Sequence, residues 1–401
     1  MYNLTDRPIV LGVTGSIAAY KAADLASKLT QAGAQVDVAM TPEATKFVSP
    51  ITFQSVTMRP AYWDMWDATS NISELHVALA RRADLLVIAP ATATIMARLA
   101  LGLAEDLVSL TALATQAPVI VCPAMDPHMW ASPATQSHLE VLRSRGVEVV
   151  GPEEGRMASG HQGWGRLSET PKILGAVRAK LGSKGDLARK KIVVSAGGTH
   201  EPIDPVRFLG NSSSGKMGFA VAEAARDRGA EVVLVSGPVA LPDPYGVRVV
   251  RVKTAAQMRD AIVPECESAA ALVMAAAVAD YQAGEPVREK IKREGTDGLS
   301  LSLVRTPDIL GEVAGADLVR VGFAAESHDL LKNAEGKLKS KSLHLIAAND
   351  ITATDAGFGV DTNRVVLLDR DGGKEELPLM SKYDVAWRIL DRVSDLIGSS
   401  K

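Results

Sequence analysis

The chain has 401 residues, enough for two or three domains that each bury a core. It is 47% hydrophobic and 23% charged, as globular proteins are, and a net charge of −3 argues against a nucleic-acid footprint or a polybasic membrane patch. Cys122 and Cys266 have no zinc spacing and build no disulfide framework, so a reduced, cytoplasmic setting is expected. No apolar run reaches the roughly 20 residues that span a bilayer, and the N-terminus shows no basic region followed by an apolar stretch and cleavage site.

In chain order, Ile9 to Val13 is a candidate strand and Ala18 to Gln31 a helix ending at Gly33. Val36 to Met40, Leu85 to Ala89, Val119 to Pro123 and Val147 to Val150 are further candidate strands. Continuous apolar runs of this length suit parallel strands covered on both faces. A helix is expected over Pro171 to Leu181, and the polar, turn-rich Gly182-Ser183-Lys184-Gly185-Asp186 marks a boundary. The division expected is 1–182, a linker 183–190, and 191–401. Lys191 to Ser195 opens the second half. A helix over Gly218 to Arg228, strands over Glu231 to Ser236, Leu272 to Ala277 and Leu343 to Ala348, and a hairpin arm Val365 to Asp369 follow. Ser381 to Ile397 reads as a closing amphipathic helix capped by Ser381. The fold class is α/β, two doubly wound Rossmann-like domains with mainly parallel sheets.

Small-residue loops follow the strands of the first half. Thr14-Gly15-Ser16-Ile17-Ala18 lies between strand and helix, where backbone N–H groups and a hydroxyl can hold a phosphate; an ordinary tight turn is the alternative. Pro90-Ala91-Thr92-Ala93 and Pro123-Ala124-Met125-Asp126 follow two more strands. Loops at the carboxyl ends of such strands share a crevice. His76 is either an acid/base group or a structural histidine.

These stretches, with Met129-Trp130 and Gly163-x-Gly165-Arg166, resemble the FMN-dependent cysteine decarboxylase family over roughly residues 7 to 180. The resemblance implies a flavodoxin-like FMN-binding domain of the phosphopantothenoylcysteine decarboxylase type. In it the flavin oxidises the cysteine moiety to a thioaldehyde, CO2 leaves, and the enethiolate is protonated and reduced. It implies His76 as acid/base or carboxylate-positioning group, and Arg166 at the substrate. It also implies cofactor contacts from Gly15, Ser16 and Ile17, from Thr41 and Ser109, and from Pro90, Ala91, Thr92 and Met125.

Three positions depart from that family. Asp126 stands where Asn is usual, Ser159 where a proton-donating Cys is usual, and Thr94 where Asn is common. An ionised Asp cannot donate to a substrate carboxylate and repels it. Three readings follow: Asp126 is protonated or turned away with a group such as His161 donating the proton; the half is slow; or it binds FMN as an oligomerisation or regulatory platform. A nicotinamide-dependent oxidoreductase is disfavoured, because no Gly-x-Gly-x-x-Gly follows the first strand.

In the second half, Ala196-Gly197-Gly198-Thr199 offers backbone donors. Asn211-Ser212-Ser213-Ser214-Gly215-Lys216-Met217-Gly218 leads into a helix as an anion cradle without P-loop spacing. Asp280 follows an apolar run, with Lys290-Ile291-Lys292 nearby, a pairing that suits a divalent metal and a triphosphate. A solvated strand edge is the plainer alternative for Lys-Ile-Lys.

Together with Asp204 to Gly218, Met274 to Tyr281, Thr306 to Leu310, Gly322 to Glu326 and Ala348-Asn349-Asp350, these motifs resemble phosphopantothenate–cysteine ligase over roughly residues 190 to 395. The resemblance implies a carboxy-lyase fused to an acid–amino-acid ligase in coenzyme A synthesis. CTP activates 4′-phosphopantothenate as an acyl-cytidylate, which cysteine then attacks. It implies Asn211 at the acyl intermediate, Lys290 at phosphate or oxyanion, and Asp280 with Mg2+ (or Mn2+). Ala276, Ala277, Pro307, Asp308, Ile309, Leu310, Phe323, Lys337 and Lys341 fall at the nucleotide, and Arg207 at phosphopantothenate or a dimer contact. The partners implied are small molecules, with neither nucleic acid nor membrane. The chain is expected to form a homo-oligomer, for which a dodecamer satisfies both trimeric flavin-half and dimeric ligase-half packing.

Overall fold

The computed structural model describes residues 4–66, 74–157, 160–285, 287–292, 299–313, 317–326, 329–350 and 359–399. Packing divides the chain into two units, Met1–Leu181 and Gly182–Lys401.

In the first unit the apolar runs form a six-stranded sheet ordered Ala61–Tyr62, Gln35–Met40, Pro8–Val13, Leu85–Ala91, Val119–Pro123, Glu148–Val149. Every neighbouring pair is parallel. Leu85–Ala91 is buried throughout, as a strand covered on both faces must be. Setting aside the short edge strand Ala61–Tyr62, the order is flavodoxin-like. The order reverses between Pro8–Val13 and Leu85–Ala91, which opens a crevice beyond Val13 and Ala91. Helix Ala19–Gln31 buries Ala22, Leu25, Ala26 and Leu29, one face at helical spacing.

A hairpin of Glu153–Arg156 and Gln162–Arg166 stands outside that sheet. Its second strand lies on the loop after Val119–Pro123, with Met125 N donating to Gly165 O at 3.0 Å. A Cβ at position 165 would sit 2.2 Å from Met125 O, so only glycine allows this approach.

The second unit holds an eight-stranded sheet. Arg248–Arg251, Glu231–Ser236, Lys191–Ala196, Ala271–Met274, Val319–Glu326 and Leu345–Asp350 are parallel in that order. Val365–Asp369 and Lys374–Glu376 complete it as an antiparallel edge. Alternate side chains feed two cores. Ile192 and Val194 pack with helix Lys216–Arg226 and the closing helix Lys382–Ser399. Val193 packs with Met258, Ile262 and Leu338 on the other face.

Several boundaries differ from expectation. The strand expected over Leu272 to Ala277 ends at Met274. Beyond it Ala276 N donates to Ser195 Oγ at 3.1 Å and Ala277 N to Gly197 O at 2.8 Å, which lifts the alanines out of the sheet. Ser381 Oγ accepts from Asp384 N at 3.1 Å at the start of the closing helix. Residues 183–190, expected as a linker, are fastened to the second unit. Leu187 lies in its core, and Asp186 binds Arg228, which also binds Asp391 at 2.7 Å.

Candidate active sites

In the first unit the crevice becomes a cavity of about 400 Å3. Its walls are the Gly15–Ala18 turn, Thr92 and Ala93, the Ala124–Asp126 loop, and Arg156, Met157 and Arg166 of the hairpin. Thr14 stitches the first two together: its hydroxyl donates to Pro90 O at 2.7 Å and accepts from Thr92 N at 3.2 Å. Ser16 Oγ accepts from Ala18 N at 3.2 Å, which shapes the turn ahead of helix Ala19–Gln31. Ile17 is 59% exposed and Tyr20 62% exposed at this cavity, an apolar rim that suits a flat aromatic ring. Tyr20, Lys21 and Met129 fall in the motif stretches that carry the family resemblance but were assigned no contact there; Arg156 was not legible, since nothing in its spacing marks it. Lys21 pairs with Glu169 at 3.2 Å, and Arg166 pairs with the same carboxylate.

Asp126 caps helix Pro127–Ala131, accepting from His128 N at 3.0 Å. Its other oxygen lies 2.9 Å from His161 Nδ1. These two bonds, the His161 one foremost, hold the Asp126 carboxyl below its usual range. That direction speaks against the protonated alternative for Asp126. Ser159 lies outside the described residues.

Five expected residues do not line this cavity. Thr41 Oγ1 accepts from Ala44 N at 3.3 Å, and Ser109 closes a capping box with Asp106, so both hydroxyls serve local backbone. Pro90 and Ala91 lie in the strand beneath the crevice. His76 sits half-buried near the start of helix Leu75–Arg82. Neither thiol reaches the cavity. Cys122 is buried in the sheet and burial pushes it up; Cys266 belongs to the second unit, where burial pushes it up to about 12.

The second unit holds a cavity of about 960 Å3. The Asn211–Gly218 turn, Ala275 to Tyr281, Arg305 to Leu310, Phe323, Lys337 and Lys341 line it. Asn211 Nδ2 donates to Val278 O at 3.0 Å, joining the turn to the alanine loop. Thr306 Oγ1 donates to Ala279 O at 2.6 Å and joins the third segment. Asp308 caps helix Ile309–Glu312 and binds Lys341 at 2.6 Å, and that bond foremost holds its carboxyl below the usual range. Lys337 Nζ donates to Phe323 O at 2.7 Å. Asp280 is exposed at this cavity. Among the described residues no cluster of three or more His, Cys, Asp or Glu could hold a metal by itself.

Lys216 belongs to the expected anion cradle, and Lys382 is a basic residue of this cavity that motif reading left unassigned. Lys216 binds Asp361 at 2.7 Å; Lys382 is buried and donates to Val360 O, with burial foremost lowering its ammonium. Lys290 and Arg207 lie outside the lining. Arg207 and Ile291 N both bind Asp204, at 3.1 and 3.2 Å, which ties the Lys290 segment to that turn.

Two family models divide the chain: "Flavoprotein" matches residues 1–182 and "DNA/pantothenate metabolism flavoprotein C-terminal domain" residues 187–397. The coenzyme A biosynthesis bifunctional protein CoaBC of Bacillus subtilis (strain 168) is 43% identical over 398 residues, covering 98% of each chain. The chain belongs to the CoaBC family. The CoaBC protein of Escherichia coli (strain K12) is likewise 43% identical, over 98% of this chain and 97% of its own. A solved C-terminal domain of a CoaBC protein is 38% identical, covering 54% of this chain and 99% of that one, with a TM-score of 0.46. As a CoaBC protein the chain is a bifunctional enzyme of coenzyme A biosynthesis, a decarboxylase and a ligase in one polypeptide. Among the described residues no helix is long and apolar enough to cross a membrane.

Proposed function

We propose that the second unit joins cysteine to 4′-phosphopantothenate with CTP, and that the first removes CO2 from the product with FMN. One observation carries the ligase half: five basic side chains, Lys216, Arg305, Lys337, Lys341 and Lys382, line a single cavity with the Asn211–Gly218 turn, against two acids, Asp280 and Asp308. A triphosphate is the substrate group that such an excess of cations suits. A carboxylate is a poor electrophile, so attack of the phosphopantothenate carboxylate on the α-phosphate, with loss of pyrophosphate, makes an acyl-cytidylate that cysteine's amine can open. In this reading Lys337 and Lys341 neutralise the departing pyrophosphate, and Asn211, anchored at Val278 O, orients the acyl group. Asp280 would be the residue to hold Mg2+ or Mn2+, which would supply charge neutralisation of the triphosphate; one protein carboxylate plus substrate phosphates is a usual Mg2+ donor set.

The first cavity fits FMN by its exposed apolar rim at Ile17 and Tyr20 and by the Ser16 turn at a helix start. When bound, the flavin supplies reversible hydride transfer. Ile17 and Met125 would offer the flavin apolar contacts, and the Thr14 hydroxyl fixes the Thr92 segment of the cavity wall. A second reading, flavin binding without turnover, is favoured by the Asp126 carboxylate, which repels a substrate carboxylate unless its charge is compensated.

Purified protein given phosphopantothenate, cysteine, CTP and Mg2+ tests both halves through pyrophosphate, CO2 and phosphopantetheine. All three are expected in equal amounts. Pyrophosphate without CO2 leaves the second reading for the first unit; none of the three overturns the proposal.

A further inference from the structure

We propose that Asp361 stands in for a phosphate group in the second unit's cavity, pairing with Lys216 until the triphosphate of the nucleotide takes its place. This rests on the ligase reading above and deepens it, by naming a residue that sets how tightly the cavity holds a polyanion. Lys216 is the first residue of helix Lys216–Arg226, directly after the positive-φ Gly215, and it lines the cavity. Its Nζ donates to Asp361 Oδ1 at 2.7 Å and to Gly359 O at 2.9 Å. Neighbouring donors of the cradle are also taken up by the chain's own oxygens. Gly215 N donates to Ser213 Oγ at 3.3 Å, and Lys216 N to Ser214 Oγ at 3.4 Å. Those two bonds are long and weak. The carboxylate is the strongest acceptor of the set, because it is charged.

The chain on either side of Asp361 brings it there. Thr362 and Asn363 pair with Ser381 and Met380, Lys382 N donates to Asp361 O at 2.9 Å, and Asn363 itself lines the cavity. These contacts hold the segment without help from the Asp361 side chain, which is 88% exposed. Among the described residues its carboxylate makes no hydrogen bond besides the one to Lys216. Two amines explain why an acid is useful at this wall. Lys382 is buried there; burial foremost lowers its ammonium, the charge of Lys216 lowers it further, and Asp361 acts in the opposite direction. The Asp361 carboxyl is itself held below the usual range, by its Lys216 bond foremost. Two adjacent cations call for an anion, and a polyphosphate brings several charges where Asp361 brings one. An exposed ion pair is weak, whereas a charge-assisted bond to phosphate within a cavity is stronger. The exchange therefore runs toward the nucleotide when it arrives, and Asp361 returns to Lys216 as pyrophosphate leaves. The consequence is looser polyanion binding than the cations alone would give.

The test titrates inorganic tripolyphosphate calorimetrically into full-length wild type, Asp361→Asn, Lys216→Ala and the double variant. In Asp361→Asn the Kd for tripolyphosphate is expected to fall about three- to fivefold, the upper range for an exposed ion pair. In the Lys216→Ala background the Asp361 change is expected to have no effect, because its partner is gone. Inhibition of ligation by cytidine, compared in wild type and Asp361→Asn, is expected to be equal, since the exchange concerns only the phosphate end. A tripolyphosphate Kd that is unchanged or raised in Asp361→Asn overturns the proposal. So does a matching change for cytidine, or a gain that persists in the Lys216→Ala background. A wild type that binds no tripolyphosphate and ligates without CTP overturns the ligase reading itself.

Discussion

The two cavities are built alike and furnished differently. Each lies beyond the carboxyl ends of parallel strands, and each is assembled from loops stitched by a threonine, Thr14 in the first unit and Thr306 in the second. In the first, large apolar side chains such as Ile17 and Tyr20 stand exposed at the cavity, and Glu169 takes up both Lys21 and Arg166. In the second, four lysines and Arg305 stand in the wall against Asp280 and Asp308. In the proposed reading the same α/β frame would serve a flat, largely apolar ring in one half and a polyanion in the other, with the difference in loop side chains rather than in the sheets.

The sharpest way to break this comparison is Asn211→Ala. Removing a preorganised donor costs about 10²- to 10³-fold in rate, so ligation is expected to fall by that factor while CO2 release from supplied phosphopantothenoylcysteine stays at the wild-type rate. Parallel loss of both activities would show that the cavities do not work independently. Ile17→Asp probes the other half. Burying a side chain of this size is worth about 1.5–3 kcal/mol, so flavin affinity, measured by fluorescence quenching, is expected to weaken about 10- to 100-fold. Thermal stability should not change, because Ile17 is already exposed. Lys341→Ala is expected to raise the KM for CTP about tenfold, the scale of a charge-assisted contact of roughly 1.5 kcal/mol, and to lessen its sensitivity to salt.

The smallest effect is structural. Glu265 bridges Lys191 at 2.7 Å and Arg248 at 2.6 Å, and the Arg248 bond foremost lowers its carboxyl to about 2. A depressed folded-state value stabilises the protein above the ordinary carboxylate range, and that contribution is lost as pH falls toward about 2. Glu265→Gln should flatten the acid limb of a stability-against-pH curve slightly and leave both activities intact.

How far each half could be read from residues follows the same division. The parallel strands were legible because burial on both faces forces continuous apolar runs, as in Leu85–Ala91 and Lys191–Ala196. The Asn211–Gly218 cradle and the Thr306–Leu310 loop were legible because motif and function coincide there. The hairpin Glu153–Arg156 with Gln162–Arg166 was not: its strands lack apolar alternation, and a tertiary approach at Gly165 holds it. The helix Ala255–Cys266 carries a capping box, Thr254 with Gln257, but its interior Pro264 disguises it. Ala275 to Ala277 read as strand because an alanine run gives no sign of where hydrogen bonding leaves the sheet. Lys382 is placed by the fold, since only tertiary packing brings the start of the closing helix to the cavity.

The most direct measurement of the ligase assignment is exchange of labelled pyrophosphate into CTP, without cysteine, in the presence of Mg2+. Exchange that appears only when phosphopantothenate is added is the predicted result, because a reversible acyl-cytidylate must form. Exchange without phosphopantothenate, or none with it, would contradict the account.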